Sequence, residues 1–142
     1  ELAERGFSVV GSDLSSTAIE KAQALAQEKG LEIDFRQDDI LHSQLRPAFD
    51  LILDRGCFHV LAPGERLEYI RQVQRLIRVG GLLCLKCFSH LQPGEQGPHR
   101  FTPDAIRALF EGPFKVRSID ETVYQGTLDP LPRALFCVLE RT

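Results

Sequence analysis

Two stretches of this sequence are so apolar that each must be covered on both sides: Phe49-Asp50-Leu51-Ile52-Leu53 and Leu82-Leu83-Cys84-Leu85-Lys86-Cys87-Phe88. Short, nearly continuous apolar runs of this kind read as strands buried on both faces of a parallel sheet. A parallel pair needs a crossover between its members, usually a helix. The intervening residues supply one. Pro63 and Gly64 open it, Leu67, Ile70, Val73 and Ile77 recur at helical spacing, and Gly80-Gly81 is expected to stop it.

The same alternation runs along the rest of the chain. Phe7 to Ser12 reads as a short strand, and Asp13-Leu14-Ser15 leads into a helix. Ser15 is a good N-cap there, Thr17 with Glu20 matches a capping box, and Ala18, Ala22, Leu25 and Ala26 share a face before Gly30 ends the helix. Leu31, Ile33 and Phe35 then alternate with Glu32, Asp34 and Arg36, the pattern of a half-exposed strand near a sheet edge, charged enough to discourage pairing with another chain. A loop containing Pro47 precedes the first apolar run. Residues 89–100 form a loop rich in Gly, Pro and His. Thr102 as N-cap and Pro103 at the first helical position start a third helix that closes near Gly112. Two strands come next without a helix between them, at about 114–123 and 134–139. The expected fold is α/β: a doubly wound sheet with an antiparallel C-terminal strand pair.

A chain of 142 residues, 43% hydrophobic and 26% charged, has material for one packed core and not for two, so residues 1–142 are expected to form a single domain. The formal net charge of −3 gives no electrostatic footprint for nucleic acid. No stretch approaches the roughly 18 apolar residues of a membrane span. Oligomeric state leaves no mark on the sequence. The chain opens at Glu1 and contains no methionine, which implies residues upstream of it. Four cysteines lie scattered in or beside apolar runs with no leader pattern before them, which fits reduced thiols in a cytoplasmic protein. Cys84 and Cys87 match C-x-x-C, but on a strand a separation of three puts them on opposite faces, so they read as apolar filler rather than a metal or redox pair. His42, His90 and His99 have no metal-ligand spacing, and no metal is expected.

In open α/β sheets ligands bind beyond the carboxyl ends of the strands. Three such positions carry acids here: Asp13, Asp39 and Asp54. An acid after one strand of a nucleotide-binding half can accept hydrogen bonds from both ribose hydroxyls, and one on the next strand can accept from an adenine amino group. Together they suit an adenosine. Each has a structural rival. Asp13 could cap the following helix, although Ser15 and Thr17 already fill that role. Either member of Asp38-Asp39 could be a solvated loop residue, and Asp54 could bond the backbone amides of the loop after it.

Four segments then carry a resemblance by their order and spacing: Val9-Val10-Gly11-Ser12-Asp13-Leu14-Ser15, Ile33-Asp34-Phe35-Arg36-Gln37-Asp38-Asp39-Ile40, Phe49-Asp50-Leu51-Ile52-Leu53-Asp54 and Leu76-Ile77-Arg78-Val79-Gly80-Gly81-Leu82-Leu83. Residues 7–142 resemble a class I S-adenosylmethionine-dependent methyltransferase from its second strand onward. The resemblance implies a Rossmann-like sheet that lacks, in this sequence, the first strand and the glycine loop. It implies Asp13 on the ribose, Leu14 and Ser15 beside the adenosine, Asp39 and the Ile40 amide at the adenine edge, and Asp54 at the cofactor. Without the glycine loop, this stretch alone is expected to bind S-adenosylmethionine poorly and to be inactive. Asp54-Arg55-Gly56, Pro63-Gly64-Glu65-Arg66 and Gly97-Pro98-His99-Arg100-Phe101-Thr102 further resemble the thiopurine, thiol and tellurite methyltransferases. That narrower match implies a small soft nucleophile as acceptor, Arg55 and Arg100 as substrate contacts, and residues 89–100 as a lid.

Methyl transfer from a sulfonium needs alignment and a dry pocket more than a strong base. If the acceptor is a hydroxyl or an amine, Asp54 or His59 is the expected base, although a histidine so placed is more often packed or exposed than catalytic. An NAD-dependent oxidoreductase would also place an acid on a ribose, but two successive strands at the C-terminus weigh against it. A non-catalytic domain that kept the fold is the remaining alternative.

Overall fold

A computed structural model of the chain describes residues 1–46 and 48–142, so the expected turn at Pro47 lies outside the described residues. The architecture is mixed α/β of the Rossmann-like kind, built as two compact units, residues 1–45 and 46–142.

In the first unit, strand β1 (Val10–Asp13) and strand β2 (Asp34–Gln37) pair in parallel, from Val10 opposite Asp34 to Asp13 opposite Gln37. Helix α1 (Ser16–Glu28) is the crossover that parallel pairing demands. Ser15 caps it as expected, its hydroxyl accepting from the Ala18 amide at 3.3 Å, so the Thr17–Glu20 capping box is not the device that starts the helix. Ile19 and Ala26 are buried on the inner face, whereas Leu25, expected there, is exposed. Both strands begin about three residues later than the sequence pattern suggests. The cause at β2 is the end of α1. The Leu31 amide returns to the Ala26 carbonyl at 2.9 Å across left-handed Gly30, a wrap that holds Leu31 to the helix instead of the sheet.

In the second unit, β3 (Phe49–Asp54), α2 (Arg66–Leu76), β4 (Ile77–Ser89), β5 (Arg100–Phe101), α3 (Pro103–Phe110), β6 (Phe114–Val123) and β7 (Arg133–Arg141) come in that order. The sheet runs β3-β4-β7-β6, with β5 also on β4. β3 and β4 are parallel, and β7 is antiparallel to both β4 and β6, which gives the expected antiparallel C-terminal pair. Burial alternates along β4. Leu83, Leu85 and Cys87 are fully buried against the layer that holds Phe58, Tyr69, Val73, Ile106 and Phe110, while Leu82, Cys84, Lys86 and Phe88 are half-buried on the other face. Cys84 and Cys87 thus lie on opposite faces, as their spacing requires. At the start of α3 the Thr102 hydroxyl accepts from the Ala105 amide at 3.1 Å with Pro103 in the first turn.

One boundary differs. The helix expected to run through Ile77 to Gly80-Gly81 ends at Leu76, because Ile77 is extended and pairs with Phe49. The two glycines serve a strand irregularity. Register shifts between Phe49 and Leu51, Gly80 takes φ +76°, and a Cβ on Gly81 would sit 2.6 Å from the Ile77 side chain and 2.9 Å from two carbonyl oxygens. Among the described residues no helix is long and apolar enough to cross a membrane.

Candidate active site

Because β1 and β2 are parallel and in register at Asp13 and Gln37, both present their carboxyl ends at the same edge. That edge is knitted by backbone. The Asp38 amide donates to the Asp13 carbonyl at 3.0 Å and the Gln37 side-chain amide to the Leu14 carbonyl at 3.1 Å. Asp13 uses one carboxylate oxygen, Oδ1, to accept from the Ser15 amide at 2.8 Å. This local turn fixes the side chain and leaves Oδ2 without a protein donor among the described residues. Leu14 beside it is 68% exposed, an unusual cost for a leucine at a strand end.

Asp38 and Asp39 divide their roles. Asp38 accepts from the Gln44 amide at 2.8 Å through Oδ1, while its Oδ2 is buried with no hydrogen-bond partner among the described residues. Asp39 is half-buried and caps the short helical turn Ile40–His42, taking the Leu41 amide on Oδ1 and the His42 ring on Oδ2, each at 3.0 Å. The His42 hydrogen bond, with the Leu41 amide second, holds the Asp39 carboxyl below its usual range. Each of its oxygens keeps a second lone pair.

At the end of β3 the acid is placed differently. Asp54, expected at the cofactor and as a base, is 6% exposed and saturated. Oδ1 accepts from the amides of Gly56 and Cys57 at 2.8 and 2.7 Å, and Oδ2 accepts from the Phe58 amide at 3.0 Å and the buried Tyr69 hydroxyl at 2.6 Å. All four hydrogen bonds stay within the protein, three of them to the loop that follows β3. The anchored Tyr69 hydroxyl is correspondingly pushed well up by burial and by the Asp54 charge.

His59 is the other expected base. It is buried, and its Nδ1 accepts the Phe88 amide at 3.1 Å, which requires the neutral ring with its proton on Nε2. Burial lowers its affinity for a proton, Asp54 partly restores it, and His99 lowers it again. In this arrangement the ring keeps no free lone pair, because Nδ1 is engaged and Nε2 carries the proton. Arg100, expected to touch substrate, instead donates to the carbonyls of Gln92, Pro93, Gln96 and Pro98 at 2.9 to 3.4 Å, so its guanidinium is committed to holding the 92–98 loop in shape.

Arg55 is exposed. It donates to the Gln125 carbonyl at 2.9 Å, and its guanidinium lies 5.6 Å from the Tyr124 ring centre. Lys86 lies 5.2 Å from the same ring, and the Tyr124 hydroxyl donates to the Lys86 carbonyl at 2.6 Å. The sequence reading passed over Lys86 and Tyr124. The available signal was a lone cation in an otherwise apolar strand.

Residues 1–81 match a family model described as a methyltransferase domain. An uncharacterised methyltransferase of Schizosaccharomyces pombe is 29% identical over 89 residues, which is 62% of this chain and 61% of the relative. The 2-heptyl-1-hydroxyquinolin-4(1H)-one methyltransferase of Mycobacteroides abscessus is 30% identical over 112 residues, 76% of this chain and 49% of the relative. The chain therefore spans about half to three fifths of the length of these relatives. Among solved structures, a SAM-dependent methyltransferase of Methanosarcina mazei superimposes with a TM-score of 0.86 at 19% identity, over 99% of this chain and 84% of that one, a likeness of fold. By the match over residues 1–81, more than half its length, the chain belongs to the methyltransferase domain family.

Proposed function

We propose that this chain serves S-adenosylmethionine-dependent methyl transfer to a small-molecule acceptor, and that the acceptor is a soft or acidic nucleophile such as a thiol. The observation that carries the reading is Asp13. One carboxylate oxygen is fixed by the Ser15 amide and the other has no protein donor among the described residues, next to an exposed leucine. A carboxylate so presented suits a ribose diol, and the apolar Leu14 side chain suits the flat face of a purine. The buried, unpartnered Asp38 Oδ2 and the remaining lone pairs of Asp39 are further acceptors for an N–H or O–H of the same ligand. The residues present therefore fit the adenosine half of the cofactor. Family membership and the fold shared with a SAM-dependent enzyme support the same choice.

When bound, the cofactor supplies an activated methyl group that leaves its sulfonium sulfur as the bond to the acceptor forms, the broken bond's electron pair staying on that sulfur. This chain's own residues bind and orient. With Asp54 saturated and His59 committed as an acceptor, neither expected base is available to deprotonate a weakly acidic acceptor. An acceptor that arrives already ionised needs none. A thiol satisfies this. So does an acidic hydroxyl such as the one in the name of the Mycobacteroides abscessus relative's substrate.

The NAD reading shares the ribose contact and is separated from this one by calorimetry. S-adenosylhomocysteine and NAD are titrated into the full-length protein. Saturable binding of S-adenosylhomocysteine alone is expected. Binding of NAD alone, or of neither ligand, overturns the proposal, the second result in favour of a domain that kept the fold without the chemistry.

A further inference from the structure

Several surface arginines have a carboxylate partner: Arg36 pairs with Asp34, Arg71 with Glu68, Arg78 with Asp50, Arg117 with Glu140 and Arg133 with Glu121. Arg55 and Lys86 differ from these. Among the described residues neither forms an ion pair, although they lie close enough to repel one another, and the Arg55 charge, after burial, helps push the Lys86 amine below its ordinary range. Their proximity is built in. Asp54 pairs with Leu85 on adjacent parallel strands, so Arg55, the first residue after β3, and Lys86, three residues before the end of β4, follow that pair on the side of the sheet where ligands bind in such folds. Tyr124, just after β6, fixes both. Its hydroxyl is tied to the Lys86 carbonyl at 2.6 Å, its ring lies within 5.2 to 5.6 Å of the two cationic groups, and Arg55 is tethered to the neighbouring Gln125 carbonyl.

Two like charges gathered on one ring, with no carboxylate in ion-pair contact with either among the described residues, cost free energy that an anion would return. The ring contributes attraction to each cation but cannot neutralise either. Beside it stand His59, with its centre 5.7 Å from that of Tyr124, and Phe88 at 5.5 Å, which add aromatic surface and, since His59 is neutral, no further positive charge. The chemistry that matches is a small anion on a flat, apolar frame.

We propose that Arg55, Lys86 and Tyr124 form a cradle that binds the methyl acceptor as its anion, an aryl or heteroaryl thiolate or a comparably acidic oxyanion. The inference deepens the methyl-transfer reading and rests on it for the identity of the occupant as acceptor. It also accounts for the absence of a free base among the expected residues: the cradle selects molecules that have already lost the proton, and stabilises the ionised form of those that titrate near neutrality.

The test uses 4-nitrothiophenolate, an anion at neutral pH, and its neutral methyl thioether 4-nitrothioanisole, each titrated calorimetrically into the full-length protein under reducing conditions. S-adenosylhomocysteine is titrated in parallel. The thiolate is expected to bind the wild type, and Lys86→Gln and Arg55→Gln are each expected to weaken it by about tenfold or more, the scale of one lost charge-assisted contact. Lys86→Arg, which keeps the charge, should lose less thiolate affinity than Lys86→Gln, and the neutral thioether should hardly respond to any variant. No thiolate binding to the wild type, thiolate binding indifferent to both Gln variants, or a parallel loss of the thioether would overturn the cradle. If S-adenosylhomocysteine fails to bind while the charge dependence of the thiolate holds, the cradle stands and the methyl-transfer reading falls.

Discussion

At the end of β1, Asp13 carries one backbone hydrogen bond and keeps a carboxylate oxygen without a protein donor among the described residues. At the end of β3, Asp54 carries four hydrogen bonds and keeps none. Both are aspartates that close a short strand, and the difference arises from the loops into which they lead. After Asp13 the chain enters α1 at once, so only the Ser15 amide turns back, while Ser15 takes over the capping of the helix. After Asp54 comes Arg55-Gly56-Cys57-Phe58. Gly56, at φ +124°, lets the backbone double back and aim three successive amides at the carboxylate, and Tyr69 arrives from α2 to occupy the last position. A strand-end acid becomes a ligand contact only where the loop after it leaves lone pairs over.

The largest effect expected from this contrast is on stability. Asp54→Ala strips the partners from the buried Tyr69 hydroxyl and three amides, and it should cost about 3–5 kcal/mol, the scale for removing the charged member of a buried hydrogen-bonded set. Urea unfolding would show it as a lower midpoint. Asp54→Asn keeps one acceptor oxygen and should lose less. Asp54→Ala with near-normal stability and impaired cofactor binding would erase the distinction and return Asp54 to the cofactor site.

Asp13 should show the reverse profile. Replacing an exposed carboxylate that makes one local turn hydrogen bond should leave the unfolding midpoint nearly unchanged. If Asp13 holds a ribose, Asp13→Ala should weaken S-adenosylhomocysteine by about 1.5–3 kcal/mol, roughly ten- to a hundredfold. Full affinity in the variant would leave Asp13 a turn residue and nothing more.

The features legible in the sequence and those hidden from it divide along the range of the interactions involved. Ser15 and Thr102 were legible as caps because their partners, Ala18 and Ala105, lie three residues away. The strand at 114–123 and the opposite faces of Cys84 and Cys87 came from periodicity alone. The helix end at Leu76 did not, since it depends on Ile77 finding Phe49 across the sheet. The hydrogen bonds of the expected site residues share that property. Asp54 is completed by Tyr69, 15 residues on, and His59 by the Phe88 amide, 29 residues on. Arg100 is consumed by four carbonyls that no motif announces. The composition of a loop shows which groups it carries, but not which of them its own fold will use up.

His59 allows the finest test of that point. Its Nδ1 accepts the Phe88 amide, so adding a proton there would set N–H against N–H, and burial already disfavours the charge. The unfolded chain has no such constraint and takes up the proton near the ordinary histidine value of 6.5. As pH falls through that value the unfolded state therefore binds more protons than the native one, and stability is lost on the acid side and fully present above it. One linked proton limits the slope to about 1.4 kcal/mol per pH unit. His59→Asn offers a carbonyl oxygen as a replacement acceptor for the Phe88 amide and cannot titrate. Unfolding free energies of wild type and variant between pH 7.5 and 5.5 should diverge, with the variant flatter, because the other histidines and the carboxylates are common to both. Equal slopes would mean that native His59 takes the proton as readily as the unfolded chain does, and a ring able to do that would again be a candidate base.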